Sequence, residues 1–373
     1  MRLFTLRATI KKQLYLFLFT FASPLFAGPS EYPYVYRSGY FLGRGDTGIA
    51  LADDEEAIFY NPAGIAVGKG IFKRFVLASP LLQVSTATRD VAKQIGLQDK
   101  NPTDTLRQNS GKVQHSSVTN FTGIILRKSA FGAYIHNENS ILLAKDWSQG
   151  GFETIYGHAF AEAGATFTLA SSFLGSKTMF VGLTGKYTQR TEGGLYANAT
   201  EADRIQQLQG GDLAMVGTGS SVDLGFMYRT RGRTPLGFGV TIKNAGNTRW
   251  TPTQPTELPR SERPLKDAKQ TVNLGFAMVP GTKLSKFKML LDIHDILGAT
   301  GHTLAKKLHI GTELTLKDSF GFMSGLNQGY PTFGFYIDTR VLRLDLGGYS
   351  EEFGEQAGIR PDSRYYAKIS LGI

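Results

Sequence analysis

From about residue 71 to the last residue, apolar and polar positions alternate in segments joined by loops that are short, then long, then short. In residues 307–317, Leu308, Ile310, Leu314 and Leu316 share one side with Thr312, and Lys307, His309, Gly311, Glu313 and Lys317 share the other. A period of two with one oily face predicts a half-buried strand. The same dyad marks Ala159 to Leu169, Met179 to Arg190, Val222 to Tyr228, Leu236 to Ile242, Val272 to Met278 and Phe287 to Ile293. It returns around Phe320 to Met323 and in Phe333 to Ile337, Leu342 to Leu346 and Tyr365 to Ile373. With a less regular strand over 71–85 and a hairpin formed by 118–126 and 130–135, about fourteen strands are expected.

The connections separate a barrel from a sandwich. At one end the predicted turns are brief, at 128–129, 171–177, 231–234, 280–285, 317–319 and 339–340. At the other end the connections are mostly long, over 86–117, 137–152, 191–220 and 246–269. Outer-membrane barrels sort their loops this way, and a sandwich has no reason to. The expected fold is therefore all-β: a transmembrane antiparallel β-barrel over residues 71–373.

The first 27 residues read as an export signal. Arg2, Arg7, Lys11 and Lys12 precede the apolar run Leu14 to Ala22, which is too short to span a bilayer, and Ala27 offers a cleavage point. The formal charge is +10, and the four basic residues of the signal account for part of it, leaving about +6. The excess is not gathered into one run, so no nucleic-acid footprint is expected. Outer-membrane lipid and lipopolysaccharide are the expected surroundings. The chain has no Cys, 44 glycines and 12% aromatic residues, so its fold needs no disulfide.

Residues 28–70 carry the densest motif. Gly43-Arg44-Gly45-Asp46-Thr47-Gly48 leads to Asp53-Asp54-Glu55-Glu56 and Ala57-Ile58-Phe59-Tyr60-Asn61-Pro62-Ala63-Gly64. Asp53 is a candidate cap for a short helix with Asp54, Glu55 and Glu56 in its first turn. Pro62 forces Asn61 out of helical geometry, and Gly64 permits a sharp turn.

This segment resembles the N-terminal signature of the FadL-like superfamily of outer-membrane barrels. That superfamily includes long-chain fatty-acid transporters, PorV-type secretion accessories and barrels labelled conjugal-transfer TraF-like. Ile310-Gly311-Thr312-Glu313, Ser324 to Tyr330 and Tyr349 to Gly354 resemble the PorV/TraF-like branch. The resemblance implies a 14-stranded barrel in a bacterial outer membrane, with Asn61, Pro62 and Ala63 in a small hatch inside the lumen. The last strand resembles the signal read by the barrel-assembly machinery, although Ile373 stands where an aromatic residue is usual.

On that frame, the charged residues expected to face the lumen are Glu162, Lys186, Arg190, Asp223, Arg229, Lys243, Lys307, Glu313, Arg343 and Asp345. Asp53 to Glu56 are expected to dock the hatch against such lumenal cations.

No catalytic, metal or cofactor site is expected. The six histidines are scattered, Asp292, His294 and Asp295 make only a weak cluster, and Gly182 to Thr188 lies in a strand instead of a phosphate loop. Two functions follow from the resemblance. The leading one is passive transport of a hydrophobic or amphipathic small molecule. The other is a non-transport accessory role toward an exported protein. A continuous apolar pocket under the outer loops would favour transport. A lumen filled by the hatch and salt bridges would favour the accessory role. The expected contact surfaces are residues 89–112 and 250–269.

Overall fold

The computed structural model describes residues 36–67, 72–98, 107–146, 152–198, 214–253, 265–281, 285–339, 341–354, 357–358 and 360–373. The export signal expected over 1–27, and parts of the long connections, lie outside the described residues.

Fourteen strands close into one antiparallel barrel. The first, β1, comes in two segments, Phe72–Ala78 and Leu81–Ser85, which share both neighbours. Then follow β2 (Val113–Leu126), β3 (Ser129–Asp146), β4 (Phe152–Ser172), β5 (Met179–Asn198), β6 (Ala214–Arg229) and β7 (Leu236–Lys243). The circuit continues through β8 (Thr271–Met278), β9 (Ser285–Ile293), β10 (Leu308–Leu316) and β11 (Phe320–Asn327). It ends with β12 (Tyr330–Asp338), β13 (Leu342–Glu352) and β14 (Pro361–Gly372). Closure is β14 against β1, with Lys368 opposite Leu81 and Gly372 opposite Val76.

The break in β1 has a local cause. Pro80 has no N–H to donate. The Ser79 N–H donates instead to Asn120 Oδ1 at 2.9 Å, and the Pro80 carbonyl accepts from the Ile369 N–H at 3.0 Å. The ladder is bridged there by a side chain.

Every strand expected from the alternation is present, but β3 to β6 run well past the predicted ends toward the long-loop side. The connections expected over 137–152 and 191–220 are shortened accordingly, and the one over 86–117 holds a helix, α3 (Thr86–Gln98). Beyond the regular zone the alternation breaks: Asn137 to Ser140 is polar at every position, and Ile141, Leu142 and Leu143 are apolar in succession. The period-two contrast fades there while the backbone ladder continues. Lys307 is a second correction: it ends a short helix, α4 (Leu304–Lys307), and the strand begins at Leu308.

The two faces of the wall reverse the chemistry of a water-soluble protein. Phe131 is 52% exposed, Phe322 59% and Phe333 60%, all facing outward. The inward Asp292, His309 and Asp345 are fully buried. An apolar exterior around a closed ladder leaves no unpaired sheet edge, as a bilayer demands. Among the described residues no helix is long and apolar enough to cross a membrane.

Candidate functional site: the lumen and its hatch

Residues 36–67 fold inside the short-turn half of the barrel. The hatch contains α1 (Gly39–Leu42), α2 (Ala57–Tyr60) and a 3₁₀ turn (Pro62–Ala66), nearly all buried. Ser38 caps α1 by accepting the Phe41 N–H at 3.4 Å. The cap expected at Asp53 is absent. Glu56 occupies the N-cap of α2 without a side-chain bond, and Asp54 accepts the Glu56 N–H at 3.0 Å in the turn before it. Four residues are too few for the acidic stretch to lie within the helix itself.

The Asn-Pro-Ala-Gly motif is a junction between hatch and wall. Asn61 is extended (φ −155°), as a residue before proline should be, and Pro62 opens the 3₁₀ turn. The Asn61 Nδ2 donates to Ile49 O at 2.8 Å within the hatch and to Phe226 O at 3.0 Å on β6. Its Oδ1 accepts the Ala63 N–H at 3.2 Å. Gly64 presses against its own hatch: a Cβ there would lie 1.8 Å from Ala52 O.

Opposite the hatch backbone, the inward face of the wall repeatedly lacks a side chain. A Cβ on Gly182 would lie 2.3 Å from the Pro62 carbonyl carbon, and one on Gly225 would lie 2.2 Å from Asn61 Oδ1. Added to Gly239, Gly275 or Gly311 it would come within 2.3 Å of Ile49 O, 2.7 Å of Ile49 Cβ and 2.3 Å of Arg44 O. These glycines let main chain approach main chain. The fit is reciprocal at Gly45, whose φ of +74° suits glycine and whose Cβ would meet Ile310 O at 2.3 Å.

Charges complete the seat. Arg44, 1% exposed, donates to Glu313 at 2.6 Å, and Lys288 reaches the other oxygen of that carboxylate at 2.6 Å. The Tyr40 hydroxyl also donates to Glu313, at 2.6 Å, and the Arg44 guanidinium lies 4.3 Å over the Tyr40 ring. Arg37 pairs with Glu351 at 2.6 Å and with Asp46 at 3.3 Å. Asp292 accepts the Gly48 and Ile49 N–H groups at 2.7 and 3.0 Å. Buried ions must be paired and hydrogen-bonded to remain charged; Arg37, Arg44, Lys288 and their carboxylates are, whereas Asp292 is held by the two N–H groups without a cation among the described residues.

Three of the four acidic hatch residues meet cations of the wall. Asp53 pairs with Arg229 at 2.7 Å near the open inner mouth, Glu55 lies 3.6 Å from Arg74, and Glu56 pairs with Lys368 in full burial. Asp54 makes no ion pair with the wall among the described residues. Burial, followed by the charges of Glu55 and Asp53, pushes its carboxyl up to about 6.

The remaining predicted lumenal charges divide. Lys243 donates to Phe59 O, and Arg343 lies 4.0 Å over the Tyr40 ring while bonding Asp345 at 2.9 Å, so both touch the hatch. Glu162 with Arg190 (2.8 Å) and Lys186 with Asp223 (2.8 Å) pair within the wall. Lys307 sits apart, 3.4 Å from Asp295 beside the long-loop end. Sequence reasoning missed Arg37, Arg44, Asp46 and Lys288 as site residues. Glycines at inward positions of otherwise regular strands were the available signal for the seat. The stacked pair His294 and His309, with centroids 4.2 Å apart, carries no metal cluster among the described residues.

The fold and this seat define a membrane-spanning β-barrel closed by its own N-terminal segment. No protein-family model matches the chain, and no curated protein matches it in sequence. Solved structures similar in architecture include the toluene transporter TodX of Pseudomonas putida, at 11% identity and a TM-score of 0.46, covering 93% of this chain and 99% of that one. The toluene transporter TbuX of Ralstonia pickettii gives 11% and 0.46, with 94% and 98% covered. A FadL homologue of Pseudomonas aeruginosa gives 11% and 0.47, with 92% and 99% covered. The similarity ends at architecture.

Proposed function

We propose that the protein resides in a bacterial outer membrane as a barrel sealed by its hatch and serves as a non-transport accessory. Its long outer loops would engage an exported polypeptide. One observation carries this: the lumen is occupied by a main-chain-seated hatch and by buried ion pairs centred on Glu313, Glu351 and Glu56. Opening such a lumen requires breaking several desolvated charge contacts together, each costly to leave unpaired. Steady passage of a greasy solute is poorly served by that interior. No catalytic step is part of the proposal.

Transport of a hydrophobic or amphipathic small molecule is the second reading, and one feature favours it. Tyr36 stacks on Phe59 at 3.9 Å, with Phe121 and Tyr134 edge-on to Phe59 at 5.7 and 5.4 Å. This aromatic seam between the hatch and β2–β3 belongs to an apolar cluster that also holds Ile58, Ile65, Val76 and Ile125.

Native mass spectrometry of gently extracted protein separates the two. A co-purified polypeptide, together with bilayers that stay non-conducting, supports the accessory role. A bound apolar small molecule, lost when Phe59 becomes Ala, would replace it with transport.

A further inference from the structure

Three consecutive short turns stand side by side on the inner rim: β2 to β3 at Arg127-Lys128, β4 to β5 over 173–178, and β6 to β7 over 230–235. Hydrogen bonds tie them together. Ala170 N–H donates to Lys128 O at 2.8 Å, Arg229 N–H to Thr178 O at 2.8 Å, and Arg231 to Lys177 O at 3.2 Å. The three turns contain Arg127, Lys128, Lys177, Arg231 and Arg233 and no acidic residue. All five are exposed, and none has an acidic partner among the described residues. The other half of the rim is mixed, with Asp318 holding Lys286 at 2.7 Å and Asp338 lying 3.6 Å from Arg343.

An apolar tip lies among these bases. Phe173 is 42% exposed, and Leu174 is 90% exposed at a φ of +48°, a conformation costly for a leucine. Among the described residues nothing covers Leu174, and Phe173 is only partly covered. Phe173 continues the outward row of Phe167 and Leu169, so the tip extends the lipid-facing surface below its edge.

We infer that this sector of the inner rim binds the headgroups of anionic phospholipids in the inner leaflet. The apolar tip would enter the acyl boundary while the five bases meet phosphodiesters at headgroup depth. Continuity with the lipid-facing wall favours this occupant over a soluble acidic protein, which would gain nothing from that apolar row. The inference rests on the membrane residence proposed above, but not on either function.

The test uses the full chain in nanodiscs of phosphatidylethanolamine with a minor fraction of phosphatidylglycerol, followed by native mass spectrometry of retained lipid. The protein should retain phosphatidylglycerol preferentially, and the preference should weaken as salt rises. Each base near an anionic surface is worth about fivefold. The triple variant K128Q/K177Q/R231Q should therefore lose at least about tenfold of the preference, while K286Q, on the mixed half, keeps it. Leu174→Asp should also weaken retention. Insertion with equal retention of both lipids, or an unchanged preference in the triple variant, would overturn the headgroup site alone. A chain that stays monomeric in water without any bilayer would overturn membrane residence too.

Discussion

The hatch meets the wall in two different ways. Toward β5 to β8 it rests main chain on main chain, over Gly182, Gly225, Gly239 and Gly275. Toward β13, β14 and β1 it is held by charge, through Glu351, Lys368 and Arg74. The two regions meet on β10, where Gly311 lies under Arg44 O and Glu313 binds the Arg44 side chain. The glycine region is specific in shape, since one methyl group fills the space the hatch needs. The charged region is specific in sequence, since removing one partner strands another. A segment seated both ways has few alternative registers.

The sharpest way to break this comparison is to add one side chain on the glycine side. Gly225→Val should expel Asn61 and cost about 3 kcal/mol or more in hatch seating. Limited proteolysis should then cut between 36 and 67, and reconstituted bilayers should conduct. A protease-resistant, silent variant would mean the close approach is dispensable.

On the charged side, Glu313→Gln leaves Arg44 and Lys288 buried without their shared carboxylate. A loss of about 3–5 kcal/mol is expected in the urea midpoint for the folded barrel. If charge acts as pairs, adding Arg44→Met and Lys288→Met to that variant should restore much of the loss.

Asp292→Asn lies between the two modes. It replaces the carboxyl acceptor of two hatch N–H groups with an amide, and about 1 kcal/mol should be lost, read as faster amide exchange at Gly48 and Ile49.

The acidic stretch yields the smallest and most instructive effects. The folded hatch holds the Asp54 carboxyl near 6, above its ordinary value, so the folded state binds the extra proton between about pH 4 and 6. The group's favourable contribution is therefore complete below about pH 4 and is lost as pH rises through 6. Asp54→Asn should stabilise the hatch at pH 7 by on the order of 1 kcal/mol and flatten its profile over that window. Asp53→Asn, at the solvent-exposed Arg229 pair, should change stability by less than about 1 kcal/mol. An Asp53 effect as large as that of Glu313 would show the inner mouth to be a principal latch.

Much of the wall was legible because alternation follows directly from a sheet with unlike solvents on its two sides. The count of fourteen strands and the short turns followed from it. Inward placement of Glu313, Asp223 and Arg343 followed as well, since their neighbours Leu314, Val222, Leu224, Leu342 and Leu344 belong to the outward apolar rows. Strand ends on the long-loop side were not legible, because runs of like residues, polar over Asn137 to Ser140 and apolar over Ile141 to Leu143, erase the alternation. The hatch segment was recognisable from Asn61-Pro62-Ala63-Gly64, and docking of its acids on wall cations was expected. Which cation each acid meets was not. Glu56 and Lys368 are 312 positions apart.

By itself the sequence determined which side of each strand faces outward, where the short turns fall, and that an Asn-Pro junction interrupts the N-terminal segment. These are local consequences of pleat, proline and side-chain polarity. Only the closed tertiary structure decided which inward glycines lie beneath the hatch, which buried ions share a carboxylate, and which basic turns become neighbours on the rim. Those depend on strand register around a full circuit, and register brings together residues whose separation along the chain carries no signal of contact.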